Sequence, residues 1–326
     1  MLSSTDVGRR VVIRRRVRDA SGAPKFADVL GELVAADDAA LSVRPDRGGP
    51  LVTVPRDEVE AAKPVPPRRR RVSPIHLQHI AAATWQPYRR DTLGDWLLGS
   101  SDGWTRRANS VVAAGDPGLP LAEAIDAVVA WYQRHDQPAR AQLVAVDPDS
   151  PAGADDPELR RVAGLDAALA ARGWPVEAET LLLTAPIDRL RRAPRPASLP
   201  PVRLSETPTP DWLAMFGARK GLAPAATAVL TAGDTRFAEV HLDGALVAIG
   251  RGAIADGHLG LSAIEVAPAF RRRGLARHLL AALADAAFDH AHTAFLQVEE
   301  ENAAARALYA RLTFRLHHRY HYRTAP

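Results

Sequence analysis

The sequence of 326 residues predicts an α/β protein, a mixed sheet flanked by helices, preceded by a small all-β module. Three observations carry this. From about residue 75 onward, helix-period and strand-period segments alternate, the pattern of a layered α/β architecture. Short period-2 runs broken by turn signals fill residues 6 to 62. Between the two lies "KPVPPRRRRVSP", residues 63–74, with four prolines and four arginines in twelve residues, a composition that stiffens the backbone and prevents helix. The expected division is 1–63, a linker 64–74, a middle block 75–195 and a last block 200–326.

The elements follow in order. "GRRVVIRRRV", "DVLGELVAAD", "AALSVRP" and "LVTVPRDEVEAA" read as strands, joined by the turn-rich "DASGAPK" and "DRGGP". Alternation in Val11, Ile13, Val17, Leu41 and Val43 gives one packed face per strand, and the size fits a five-stranded SH3-like barrel. In the linker, Arg68 to Arg71 make either a solvated spacer or an electrostatic anchor for nucleic acid or a protein partner.

In the middle block "IHLQHIAAATW" has helical spacing and "GWTRRANSVVAAG" reads as a turn feeding a strand. Leu121, Ile125, Val128, Val129 and Tyr132 recur at steps of three and four and predict an amphipathic helix. "RAQLVAV", "ELRRVAGLDAALAARGW" and "VEAETLLLTA" read as strand, helix and strand, and "RRAPRPASLPPVR" as a loop. The last block begins as a meander with turns at Asp243–Gly244 and Asp256–Gly257. It continues with a helix after Gly274, the strand "AFLQV", a helix from Ala303 to about Leu312 and a strand near "HHRYHYR".

Composition excludes several chemistries. With no cysteine there is no disulfide, thiolate zinc site, iron–sulfur cluster or cysteine nucleophile. His317 and His318 are adjacent on a strand and point to opposite faces, so they form no chelate by themselves and no metal is expected. No window approaches the roughly 18 to 20 apolar residues of a membrane span. The start "MLSSTDVGRR" lacks a basic segment followed by an apolar one, so a cytoplasmic, membrane-free protein is expected. The net charge of +4 permits an anionic partner without requiring one.

Two stretches carry chemistry. In "EVAPAFRRRGLARHLL", Arg271, Arg272, Arg273, Gly274, Leu275 and Ala276 join a strand ending near Val266 to a helix with core face Leu275, Leu279, Leu280, Leu283 and Ala287. Unpaired N–H groups at a helix start beside cations suit an anion. Gly274 lets backbone approach a ligand, and the three arginines fit a pyrophosphate; a solvated basic turn is the plainer alternative. GxGxxG and Walker A signatures are absent, against dinucleotide and nucleoside triphosphate sites. In "LQVEEENAAARALYARLTFR", Asn302 is a natural helix N-cap and Tyr309 lies two turns along; capping alone and a packed aromatic are the structural alternatives.

Together these stretches resemble the GCN5-related N-acetyltransferase (GNAT) family over roughly residues 200–326. Its phosphate signature (Arg or Gln, two residues, Gly, one residue, Gly or Ala) is matched by Arg271, Gly274 and Ala276; its second signature, by Asn302, Leu308, Tyr309 and Phe314. Thr313 departs from the glycine usual before the Phe. The resemblance implies a GNAT fold that binds acetyl-CoA through the amides of Arg272 to Ala276, with Val266 pairing with the pantetheine arm and Asn302 contacting it. It implies that Tyr309 protonates the departing thiolate, for which a phenol near pKa 10 suffices.

An alkylamine acceptor is an ammonium at neutral pH and needs a base. Glu265 is the first candidate and Glu299 the second; a partner for a nearby arginine is the alternative role of Glu265. Gln297 stands where the protein N-terminal acetyltransferases of the family have a Glu, and a Gln is no base. The middle block is compatible with a degenerate second copy of the fold. Its turn with Trp104, Arg106, Arg107 and Asn109 suits a carboxylate, or else is a packed tryptophan with solvated arginines. The whole layout resembles high-GC bacterial acetyltransferases described as N-acetylglutamate synthases or as enzymes acting on lysines of a histone-like DNA-binding protein. The resemblance implies an acetyl-CoA-dependent N-acetyltransferase attacking directly in a ternary complex, with an amino acid such as glutamate or a protein lysine as acceptor. An acyl-CoA sensor with a nucleic-acid-binding module is the non-enzymatic alternative.

Overall fold

The computed structural model describes residues 2–18, 22–46, 49–65, 72–145, 156–196 and 198–326. The arginine run Arg68–Arg71 of the expected linker lies outside them. The chain divides into two units, Met1–Arg71 and Val72–Pro326.

The first unit opens with a 3₁₀ turn at Ser4–Asp6 and continues with β1 (Arg10–Arg18), β2 (Pro24–Ala36), β3 (Ala40–Pro45), β4 (Val52–Pro55) and β5 (Val59–Pro64). They form an antiparallel sheet in the order β4-β3-β2-β1-β5. Val11, Ile13, Leu41 and Val43 are fully buried with Leu33 and Val54, so the expected alternation sets the packed face. No ladder among the described residues joins β4 to β5, and the closed SH3-like barrel of the expectation is corrected to an open five-stranded sheet. Alternation determines which face is buried and says nothing about whether edge strands meet. Opposite the core, Arg14 pairs with Asp28 at 2.9 Å, Arg44 with Glu32 at 3.1 Å and Arg16 with Glu60 at 3.4 Å, so much of the basic strand "RVVIRRRVR" is neutralised.

The second unit runs α1 (Pro74–Thr84), β6 (Arg89–Leu93), β7 (Trp96–Ser100), β8 (Val111–Val112), α2 (Leu121–Gln133), β9 (Arg140–Val144), α3 (Pro157–Ala171), β10 (Val176–Pro186) and α4 (Ile187–Arg191). It continues with β11 (Arg203–Ser205), α5 (Pro210–Lys220), α6 (Ala226–Thr231), β12 (Asp234–Leu242), β13 (Ala245–Ala255), β14 (His258–Val266), α7 (Leu275–Ala286), β15 (Thr293–Glu299), α8 (Ala303–Arg311) and β16 (Arg315–Thr324). A single mixed sheet has the order β11-β12-β13-β14-β15-β10-β16-β9-β8-β7-β6. The expected boundary near residue 195 therefore does not divide the sheet. β10 inserts between β15 and β16, and β16 inserts between β10 and β9. One parallel pair lies on each side of the β10–β16 pair, β14–β15 and β8–β9, with five strands beyond β10 and four beyond β16.

The predicted helix faces find their cores. Leu275, Leu279, Leu280, Leu283 and Ala287 pack with Leu181, Leu259, Leu261 and Leu296. In the other half Ile125, Val128 and Tyr132 join Trp96, Val111, Leu143 and Leu165, whereas Leu121, in the first turn of α2, stays exposed. Burying such side chains contributes about 1.5–3 kcal/mol each relative to exposure. No helix of the described residues is long and apolar enough to cross a membrane.

Candidate active site

β14 and β15 run parallel and pair from His258↔Thr293 to Leu261↔Leu296. Beyond that point both strands continue with other partners. β14 follows β13 to Ala248↔Val266, and β15 follows β10 to Thr180↔Glu299. The parallel pair therefore opens into a fork whose arms are 262–266 and 297–299. The divergence has a local cause: the β13–β14 register shifts between Ile249 and Arg251, opposite Ala263, whose φ is +52°. Just past the last pair, the Gln297 amide nitrogen is buried without a partner.

The basic loop lies beyond the β14 arm. Arg272 and Gly274 take left-handed backbone (φ +61° and +85°), and α7 begins at Leu275 with its first amides free of intrahelical partners. A Cβ on Gly274 would stand 3.0 Å from Pro196 Cγ, so no side chain fits there without displacement. Arg271, Arg272 and Arg273 are exposed; Arg271 Nε donates to the Val266 carbonyl at 3.3 Å and Arg273 lies over Phe270. Ala276 is half-buried in the first turn. This cation-flanked loop with a side-chain-free cradle fits the pyrophosphate of acetyl-CoA.

Across the fork, Asn302 caps α8 by accepting from Ala305 N at 3.1 Å. Tyr309, half-buried on α8, packs edge-on to Phe314 at 5.7 Å. The turn between them is held by Phe314 N donating to the Tyr309 carbonyl at 3.1 Å, and Thr313 occupies φ +68°. Thr313 is thus a β-branched residue in a left-handed position that glycine enters without strain.

Glu265 is half-buried on the β14 arm, opposite Ile249. Glu299 ends the other arm, where Arg106 Nη2 donates to Oε1 of its carboxylate. The structure brings Arg106 and Glu299 together and treats the rest of the 104–109 turn differently. Asn109 is buried: its Oδ1 accepts from Ser101 N at 2.7 Å and Gly103 N at 3.0 Å, and its Nδ2 donates to the carbonyls of Trp104 and Thr105, both at 2.8 Å. Both ends of that amide are spent on its own loop. Trp104 is buried, stacks on Trp85 with centroids 5.9 Å apart and donates to Gly221 O at 3.1 Å. Trp104 and Asn109 thus build the turn, while Arg107 is half-buried and Arg106 exposed on it.

Arg251, Trp85 and Ser262 were missed in the sequence. Arg251 is 1% exposed on β13; its Nε donates to Leu230 O at 2.6 Å and Nη1 to Thr84 O at 3.0 Å, fastening the C-terminal ends of two helices. Burial, helped by the nearby Arg107, pushes its guanidinium down to about 9, so it remains a cation at neutral pH. The available signal was a lone arginine in the apolar run "ALVAIGRGAIA". Among the described residues no group of side chains is arranged to hold a metal ion.

Comparison with known proteins agrees with this geometry. Residues 5–63 match the family described as the Rv0428c N-terminal Sm-like domain, which replaces the SH3-like assignment. The Bacillus subtilis (strain 168) protein described as "Uncharacterized N-acetyltransferase YobR" is 27% identical over 254 residues, covering 76% of this chain and 96% of that protein. A GCN5-related N-acetyltransferase from Kribbella flavida has the same fold, with a TM-score of 0.57 and 19% identity over 77% of this chain and 95% of that one. A Staphylococcus epidermidis ATCC 12228 protein titled as functionally unknown gives a TM-score of 0.52 at 11% identity, covering 74% and 94%. Residues 73–323 match the family described as "Probable histone acetyltransferase Rv0428c C-terminal". That match spans most of the sequence, and the chain belongs to this family of GNAT N-acetyltransferases.

Proposed function

We propose that this acetyl-CoA-dependent N-acetyltransferase moves the acetyl group to a primary amine by direct attack in a ternary complex, with Glu265 as base and Tyr309 as acid. The fork between residues 262–266 and 297–299, opening beside the Arg272–Gly274 loop, carries the reading. In it, the amides of Arg272 to Ala276 and the Arg271 and Arg273 side chains hold the pyrophosphate, and the Val266 and Asn302 ends of the two arms flank the cofactor arm.

Glu265 takes a proton from the acceptor ammonium, directly or through water, and the freed nitrogen bonds to the thioester carbonyl carbon. As the carbon–sulfur bond breaks, the Tyr309 phenol gives its proton to the sulfur, and the nitrogen, on becoming an amide, sheds its second proton, which restores the phenol through water. Phenol and thiol differ by only about 1.5 pKa units in model compounds, so this transfer needs no large shift. No cysteine relay is available. Glu299 is the weaker base candidate, because Arg106 holds its carboxylate.

The half covering residues 75–195 is proposed to be a degenerate copy that binds no CoA. Its parallel pair β8–β9 and following helix α2 repeat the β14–β15–α7 arrangement, but the intervening loop 113–120 carries Asp116 and no arginine. The groove there is a cavity of about 270 Å³, lined by Trp96, Leu119, Leu121, Val162 and Leu165, with Arg161 paired to Asp116.

For the acceptor, an amino acid such as glutamate is one reading, and the turn at Arg106 and Arg107 supports it. The family description supports a second, a lysine on a histone-like protein, with the Sm-like unit as a docking module for it or for nucleic acid. Free-thiol release from acetyl-CoA against amino acids, polyamines, aminoglycosides and a purified histone-like protein tests the assignment. Failure of every amine, with acetyl-CoA still bound, would overturn it in favour of a sensor.

A further inference from the structure

Two guanidinium groups near the mouth of the fork have no carboxylate partner among the described residues. Arg251 and Arg107 each lie 5.1 Å from the centroid of the same Trp85 ring. Arg251 reaches Ser262 Oγ at 3.4 Å, the first residue of the β14 arm, and its Nη2 is buried without a partner. Arg107 is half-buried on the turn whose preceding residue, Arg106, is neutralised by Glu299 on the other arm. Among the described residues, neither Arg107 nor Arg251 forms an ion pair.

The turn therefore touches both arms, through Arg106 on Glu299 and through Trp85 and Arg251 toward Ser262. Behind it Tyr320 and Tyr322 are buried, and burial keeps both phenols neutral, so they cannot balance the charge. Two neighbouring cations in a poorly hydrated place repel each other and favour an anion between or beside them. Arg107 has a planar fork free to make paired hydrogen bonds to a carboxylate. Arg251, already fixed by two helix carbonyls, is too buried to touch a ligand and acts by position and charge.

We propose that Arg107, backed by Arg251 and braced on Trp85, receives the carboxylate of a small amino acid, so that the acceptor is an amine carrying an anionic group close to the reacting nitrogen. This rests on the acetyltransferase reading above and narrows it. A lysine on a basic protein brings further cations to this pair and is disfavoured by the same charges.

The test uses the full chain and matched acceptors: glycine, leucine, aspartate and glutamate, each beside its α-carboxamide, together with a lysine-containing basic peptide. Thiol release should favour at least one acid over its amide by tenfold or more in kcat/KM. Arg107→Gln should raise KM for that acid about 10- to 100-fold, the range of a charged hydrogen-bonded pair, and the amide should lose far less. Arg107→Lys should fall between, and it carries the test if circular dichroism shows Arg107→Gln misfolded. Calorimetric binding of the same acids gives a readout that does not need turnover. Acids that bind tenfold more weakly to Arg107→Gln, in a protein that acetylates nothing, would keep the anion site and overturn acetyl transfer. Equal use of acids and amides, turnover of the peptide alone, or no binding of any acid would overturn the anion site.

Discussion

Arg106 and Glu299 form an ion pair that ties a turn of the first half to the end of the β15 arm. Both side chains are about half exposed, so the pair contributes about 0.5 kcal/mol or less to stability. Its part in the proposed mechanism is positional, because it holds one carboxylate of the fork against the turn. Glu265→Gln should lower kcat by about 10²- to 10⁴-fold. Glu299→Gln should act mainly by releasing the turn, raising acceptor KM by a few-fold. Steady-state kinetics of the two variants decide the matter, and a larger kcat loss in Glu299→Gln would reverse the assignment.

Tyr309→Phe keeps the ring against Phe314 and removes the hydroxyl. We expect kcat to drop about 100-fold, with the acetyl-CoA Kd within about twofold of the parent. Isothermal titration beside kinetics separates the two quantities, and a parallel loss of cofactor binding would sink the proton-donor role.

Two backbone positions should respond in opposite directions. Thr313 holds φ +68° with its hydroxyl buried and unpartnered. Thr313→Gly relieves a strain of about 1–2 kcal/mol, partly offset by glycine's extra chain entropy, and should raise Tm by about 2 °C. Gly274→Ala adds a Cβ at φ +85° against Pro196, and should lower Tm and weaken acetyl-CoA binding about tenfold. Differential scanning calorimetry measures both, and a stabilising Gly274→Ala would contradict the cradle.

His318 gives the acid limb. The strand bulges at His317, so the two rings meet at 2.8 Å between their Nδ1 atoms instead of taking the opposite faces expected. Buried beside His317, the His318 imidazole is pulled down to about 3 by loss of hydration and by its neighbour. The unfolded chain titrates this group near 6.5, so between 6.5 and 3 the unfolded state holds the extra proton. Stability from His318 is present above 6.5 and falls as the pH drops toward 3, by about 1.4 kcal/mol per unit. His318→Leu should flatten that part of the stability profile in urea titrations from pH 7 to 4, and an unchanged slope would refute the account.

Much of this was legible in the residues. Leucines at helical spacing after Gly274 gave α7 and its buried face, and the two Asp–Gly pairs marked the turns of the β12–β14 meander. The α5 helix was overlooked although Thr209 and Pro210 signal it, the threonine accepting from Trp212 N at 3.0 Å. The β6–β7 hairpin was hidden because four of the five β6 residues are exposed and no alternation shows. Pairings distant in sequence could not be read at all. Nothing in "VEAETLLLTA" says that it lies between β15 and β16, and nothing in Arg251 says that it shares Trp85 with Arg107. Local periodicity fixes a strand's buried faces and leaves its neighbours open.

The exchange of β10 and β16 between the halves also constrains how the protein is made. While the ribosome is still extending the chain past residue 300, β9 and β10 are complete but the strand that belongs between them has not been synthesised. Until it arrives, both present unpaired edges, a state prone to wrong partners. Completion of the sheet is thus deferred to one late, long-range event, and a chain interrupted before Arg315 should be a client for chaperones rather than a smaller enzyme.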